Sequence, residues 1–309
     1  MTGPAARPRA TGWAAFWNRG GWWKAIVLAI VYLALYELLQ LAFAPFTEAL
    51  VDEQNLFATP GSVFAGLVLR VLTGSILLVA FAWSIGWLPR PLFARQPVRG
   101  SWWMWFAPVL VAIPIVLRVL GTDYSAYSGG VIVLTFVAGA LIGFSEELLT
   151  RGFVVGLLRR RGYREWPVAL LSSLVFALLH SVNLFSGQPI ATVGLTIAYT
   201  FCFGILMYLT MRVTGSLIWP MVLHGLTDPI TMLASGGIDQ APERVLDNPM
   251  LALAAPATLL LAVGAVVLLV FIRGDARGRA ADGEPPRTDG GVDVTPSGVR
   301  TDPDRRPGA

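Results

Sequence analysis

The sequence predicts an all-α polytopic membrane protein, a transmembrane helical bundle of about eight spans with both termini in the cytoplasm. Three observations carry this. Of 309 residues, 55% are hydrophobic and only 14% charged, against roughly 25% charged in an ordinary soluble protein. Apolar stretches of about 20 residues, enough to cross a hydrocarbon core, recur along most of the chain. The basic residues collect in alternate loops, as they do on the cytoplasmic side of membrane proteins.

Taken in order, spans are expected at 25–46, 64–88, 102–120, 130–157, 167–185, 190–211, 215–234 and 250–272. Arg7, Arg9, Arg19 and Lys24 precede the first; Arg90, Arg95 and Arg99 follow the second; Arg159, Arg160, Arg161 and Arg164 follow the fourth. Arg212 follows the sixth, and Arg273, Arg277 and Arg279 follow the eighth. The intervening loops hold Glu48, Asp52, Glu53, Asp239, Glu243 and Asp247, with Arg118 and Arg244 the basic residues near them. The Arg159–Arg161 run therefore serves first as a topology anchor, with anionic-lipid contact as a second role. Ala42-Phe43-Ala44 resembles a signal-peptide cleavage site, but the apolar run before it is too long for one, so the first span is expected to remain, with Trp22 and Trp23 at the interface. The division that follows is a cytoplasmic segment 1–24, N-terminal membrane helices 25–129, a polar-bearing core 130–235, an outer loop and last span 236–272, and a tail 273–309. That tail has no aromatic residue, Leu, Ile or Met, and is expected to be disordered.

Cys202 is the single cysteine, which excludes a disulfide framework and a CxxC zinc site. All 23 basic residues except Lys24 are arginine, and no basic stripe interleaves with exposed aromatics, so no nucleic-acid partner is expected. The expected partners are the lipid bilayer and a membrane protein or peptide.

An ionisable side chain at mid-membrane costs about 2.5–3.5 kcal/mol on insertion scales, so each needs a partner or a function. Glu146, Glu147 and Arg151 lie in the fourth span, His180 and Asn183 in the fifth, and His224 and Asp228 in the seventh; the chain has no other histidine. Counted along each helix from its cytoplasmic end, Glu146, His180, His224 and Asp228 all fall roughly 14–20 Å deep, in one layer where they can share a buried site. Glu147 and Arg151, Phe176 and His180, and His224 and Asp228 are i,i+4 pairs, each on one face of its helix. Glu146 is turned about 100° from Glu147. Glu147 is therefore expected to pair with Arg151 while Glu146 faces the site as general base, although the spacing also allows the reverse. Two histidines with carboxylates suit a divalent metal, zinc above all, held by Glu146, His180, His224 and Asp228. The spacing contains no HExxH. Asn183 reads as support, Phe176 as packing, Arg70 as a snorkelling side chain, and Glu37 as a residue lining a substrate route.

Glu146-Glu147-Leu-Leu-Thr-Arg151 matches an EExxxR motif, Phe176-Ala-Leu-Leu-His180 an FxxxH motif, and His224-Gly-Leu-Thr-Asp228 an HxxxN or HxxxD motif. In this order, over about residues 130–235, they resemble the signatures of the CPBP intramembrane proteases, also called the Abi or CAAX-protease-like family. The resemblance implies an intramembrane endopeptidase acting on membrane-embedded or membrane-tethered chains in the cytoplasmic membrane. It implies Glu146 as the residue that activates water, His180 sharing that water or binding the metal, and His224 and Asp228 completing the site. Asp228 matters here, because an asparagine can donate to an oxyanion whereas an ionised aspartate only accepts. The rival class is a non-catalytic scaffold or bacteriocin-immunity protein binding a partner through the same helices. A proton-coupled transporter is disfavoured by the lack of an internal repeat.

Overall fold

The computed structural model describes residues 12–236 and 248–276. Arg7, Arg9, the loop 237–247 with its charged residues, and the tail from 277 onward lie outside the described residues, and with them the expected disorder of that tail. The described residues are helical, with a single isolated bridge between Arg164 and Asp275. A short α1 (Gly12–Asn18) precedes α2 (Trp22–Thr47). Then come α3 (Pro60–Val63), a π-helical stretch Phe64–Val68, α4 (Leu69–Ser84) and α5 (Phe106–Gly121). Next, α6 (Gly129–Glu147) passes through a π-helical stretch Leu148–Val154 into α7 (Val155–Arg160). After these, among the described residues, come α8 (Glu165–Leu179), a 3-10 turn His180–Leu184, α9 (Ile190–Thr214), α10 (Ile218–Ser235) and α11 (Pro249–Val270).

Seven of these helical segments among the described residues are long and apolar enough to cross a membrane: 22–50, 60–84, 102–121, 129–160, 165–184, 190–214 and 249–270. The chain is a multi-pass membrane protein. The expected eighth span, 215–234, is present as α10 but does not reach that apolarity, because it spends its length on His224, Thr227, Asp228 and Thr231. It crosses the bundle all the same. At one end Gln96 N–H donates to the Gly215 carbonyl at 3.0 Å, and at the other the Tyr127 hydroxyl donates to the Leu233 carbonyl at 2.8 Å.

The same two ends sort the charges. At the first end Arg159 donates to Gln96 and to both oxygens of Glu165, while Arg212 reaches Glu165 and the carbonyls of Arg99 and Arg273. Gly21 N–H donates to the Leu157 carbonyl there, which draws in the segment carrying Arg19. Glu165 is fully buried, and its carboxylate also accepts from the Tyr208 hydroxyl, so several loops are tied to one charge. The acidic loops holding Asp52 and Asp123 lie at the opposite end, where Phe57 packs on Tyr127 at 6.5 Å.

Around α6, the π stretch 148–154 is buried along its whole length, whereas α2 and α11 present Ile30, Leu41, Leu259 and Val263 outward, as expected of helices against lipid. The tightest neighbours are α6 and α10. Gly139 and Gly143 lie one turn apart on α6, and a Cβ at Gly143 would come 2.3 Å from the Met221 carbonyl oxygen. Small residues at this spacing let membrane helices approach closely where no hydrophobic effect drives them together. Gly143→Val is therefore expected to force the pair apart at a cost of about 3 kcal/mol, the upper end for overpacking. A lowered unfolding midpoint in detergent, with Ala140→Val as a control on the same helix, checks this.

Candidate active site

The contact between α6 and α10 sets Glu147 beside His224. Glu147 is fully buried, and its Oε1 accepts Nη1–H of Arg151 at 2.9 Å and Nδ1–H of His224 at 2.9 Å. Arg151 also donates to the Thr150 hydroxyl at 2.7 Å and to the Gly204 carbonyl at 2.7 Å, and its guanidinium lies over the Phe176 ring at 4.7 Å. The expected pairing of Glu147 with Arg151 is thus present in the structure.

Glu146 turns the other way. Its side chain is about 29% exposed and lines a cavity of about 220 Å³ together with His180, Asn183, Tyr32, Tyr36 and Glu37. Its Oε2 makes no hydrogen bond and lies 3.8 Å from His224 Nε2; Asp228 Oδ2 lies 3.6 Å from the same nitrogen. Separations of this size are too long for a direct hydrogen bond. With Nδ1–H given to Glu147, His224 presents Nε2 to two carboxylates, its ring braced edge-on by Phe176 at 5.6 Å and Phe203 at 5.0 Å.

His180 differs from the expectation of a continuous helix over 167–185. Helix α8 ends at Leu179, and His180 opens the 3-10 turn. The His180 backbone N–H bonds to Ala177 and Leu178, which frees the Phe176 carbonyl to accept from the His180 ring at 3.1 Å. A carbonyl only accepts, so Nδ1 carries the hydrogen and Nε2 is left as the basic nitrogen. Phe176 is more than packing: its ring touches His180 (5.2 Å), His224 and Arg151, making it the apolar centre around which the polar groups are set. Asn183 lines the cavity, as does Glu37. Arg70 does not merely snorkel, since its Nε donates to Gln40 Oε1 at 3.3 Å.

The zinc suggested by the donor types finds no prepared holder. Among the described residues no group of three or more His, Cys, Asp or Glu side chains is arranged to hold a metal ion, although both histidines keep Nε2 free while Nδ1 is engaged by a carbonyl or a carboxylate.

Sequence reasoning missed the aromatic wall from the N-terminal half. Tyr32 and Tyr36 descend from α2 into the cavity, where a Cβ on Gly74 of α4 would lie 2.5 Å from the Tyr32 hydroxyl and 3.0 Å from the Tyr36 ring. The signal was available as Tyr32, Tyr36 and Gln40, spaced by four residues on one face of a mostly apolar helix. Phe203 carried no such mark.

Compared with known proteins, no curated protein and no solved structure matches the chain. A family match covers residues 128–230, a third of the sequence, and takes in every motif residue from Glu146 to Asp228. Over that segment the chain is similar to the type II CAAX prenyl endopeptidase Rce1-like family, in keeping with the CAAX-protease-like resemblance of its three motifs.

Proposed function

We propose that this protein is an intramembrane endopeptidase that hydrolyses a peptide bond in a membrane-embedded or membrane-tethered protein or peptide, with Glu146 activating the water. The observation that carries the reading is the unequal environment of the two adjacent glutamates: Glu147 is buried and doubly bonded, while Glu146 is partly exposed and lines the cavity, its Oε2 without a hydrogen bond. Glu146 takes a proton from a water in the cavity that its side chain lines. The resulting hydroxide attacks the carbonyl carbon, and Glu146 returns the proton to the amine nitrogen as the carbon–nitrogen bond breaks. Glu147 fixes the His224 ring, and Arg151 holds Glu147. Asp228 as a carboxylate accepts only, so donors for the developing oxyanion come from elsewhere in the cavity: the hydroxyls of Tyr32 and Tyr36 and the Asn183 amide are there, and preorganised donors of this kind contribute strongly to acyl transfer.

A hydrocarbon-bearing substrate fits the surroundings. An apolar groove of about 620 Å³ runs between α2 and α8 and meets the catalytic cavity at Leu33 and Leu179. We place the protein in the cytoplasmic membrane with its arginine-rich end toward the cytoplasm, on the strength of the charge segregation described above.

The test is cleavage of a farnesylated, internally quenched CaaX peptide and of unprenylated transmembrane peptides by protein reconstituted in liposomes, with metal content measured on the same samples. Cleavage by wild type and its loss in a folded His224→Ala variant is the expected result. Stoichiometric zinc that disappears in His224→Ala would make a metal the activator of the water. Failure of wild type to cut any of these peptides overturns the reading in favour of a partner-binding scaffold.

A further inference from the structure

A second cavity, of about 320 Å³, lies at the arginine-rich end of the bundle, between the 87–97 segment and one face of the π stretch and α7. Its lining holds four arginines and no carboxylate: Arg95, Arg159 and Arg160 toward the loops, and Arg151 with Gly152 on the side of the catalytic core. The charges are unevenly answered. Arg159 is tied to Glu165, which it shares with Arg212, so that one carboxylate serves two guanidinium groups. Arg160 stacks on the Trp87 ring at 4.5 Å, and neither it nor Arg95 forms an ion pair among the described residues. Arg151 is 2% exposed and its Nε–H has no hydrogen-bond partner. Topology alone requires arginines near the interface, but not that they converge on a half-open pocket whose other walls, Trp87, Leu92 and Val155, are apolar.

We propose that this cavity binds a phosphate-bearing anion, with the phosphate held by Arg95, Arg159 and Arg160, separately from the catalytic cavity that contains Glu146. Guanidinium forks match phosphate oxygens bidentately, and basic pockets between spanning helices at the cytoplasmic surface are sites for anionic headgroups. The phosphate has two sources, the headgroup of an anionic phospholipid in the surrounding leaflet or free inorganic phosphate. The inference does not depend on the peptidase reading.

The experiment uses the full chain, purified and delipidated in a neutral detergent. Native mass spectrometry compares retention of phosphatidylglycerol and phosphatidylcholine, and thermal unfolding is followed with added inorganic phosphate. Wild type is set beside the double variant Arg95→Ala/Arg160→Ala, the milder Arg95→Gln, and Arg161→Ala, whose side chain does not line the cavity. Wild type is expected to favour phosphatidylglycerol. The double variant should lose about tenfold or more of that preference, the loss expected for two basic groups, with a smaller loss in Arg95→Gln and none in Arg161→Ala. A preference for phosphatidylglycerol without any phosphate effect identifies the lipid as ligand. A phosphate-induced rise in unfolding temperature that the double variant lacks identifies the free anion. If Arg95→Gln and the double variant retain lipid and respond to phosphate as wild type does, the proposal is overturned.

Discussion

Glu146→Gln is expected to lower peptidase activity by about 10³-fold, within the range that a positioned acid–base group contributes, while leaving the protein folded. The two parts of this expectation rest on separate observations. Activity falls because the amide cannot take a proton from water, and no other carboxylate stands where Glu146 does: Glu147 is fully buried with Oε1 committed to Arg151 and His224, and Asp228 lies 3.6 Å from His224 Nε2 and does not line the cavity that Glu146 lines. The fold survives because Glu146 makes no side-chain hydrogen bond with Oε2, and it is the backbone carbonyl that accepts the Thr150 hydroxyl at 2.6 Å. Substitution therefore deletes an acid–base group without orphaning a buried partner. Initial rates on the reconstituted protein, with the unfolding midpoint measured on the same preparation, check both parts. An active Glu146→Gln variant would remove this glutamate from the chemistry.

How far the site could be read from the sequence depends on the range of the interaction concerned. Glu146, Glu147, Arg151, His180, His224 and Asp228 could all be singled out because a charged or histidine residue inside an apolar run is costly, and the cost is visible one residue at a time. The i,i+4 relation of Glu147 and Arg151 is likewise local, and their ion pair follows from it. What joins different helices was less legible. Gly139 and Gly143 form a small-xxx-small pair that a sequence can display, yet nothing in it says that the partner is α10 and that His224 is thereby brought to Glu147. The π stretch 148–154 leaves no periodic trace. The end of α8 at Leu179 depends on an imidazole displacing a backbone donor from the Phe176 carbonyl, a competition that hydropathy does not register. Helix α10 shows the converse case, since the polar residues that mark it as functional are the ones that lower its apolarity as a span.

Arg151 and Glu147 are expected to show that the buried pair both stabilises the core and positions His224. Arg151→Met leaves the Glu147 carboxylate buried with His224 as its remaining partner, and breaking a buried pair in this way costs about 3–5 kcal/mol. Glu147→Gln has a related cost, because it leaves the Arg151 guanidinium with Thr150 and the Gly204 carbonyl and no counter-charge. The double variant removes both charges together, so its stability should recover, with a coupling within the roughly 0.5–3 kcal/mol seen for residues in direct contact. Activity should not recover with it. The His224 ring is held by the Glu147 carboxylate at 2.9 Å, and in the double variant that acceptor is an amide with half its oxygens gone, so Nε2 is no longer fixed toward Glu146 and Asp228. A purely structural ion pair would return stability and rate in parallel; a positioning pair returns stability alone. Equilibrium unfolding in mixed detergent micelles gives the first quantity and kcat on the reconstituted protein the second, and parallel recovery of both would reduce the pair to a structural role.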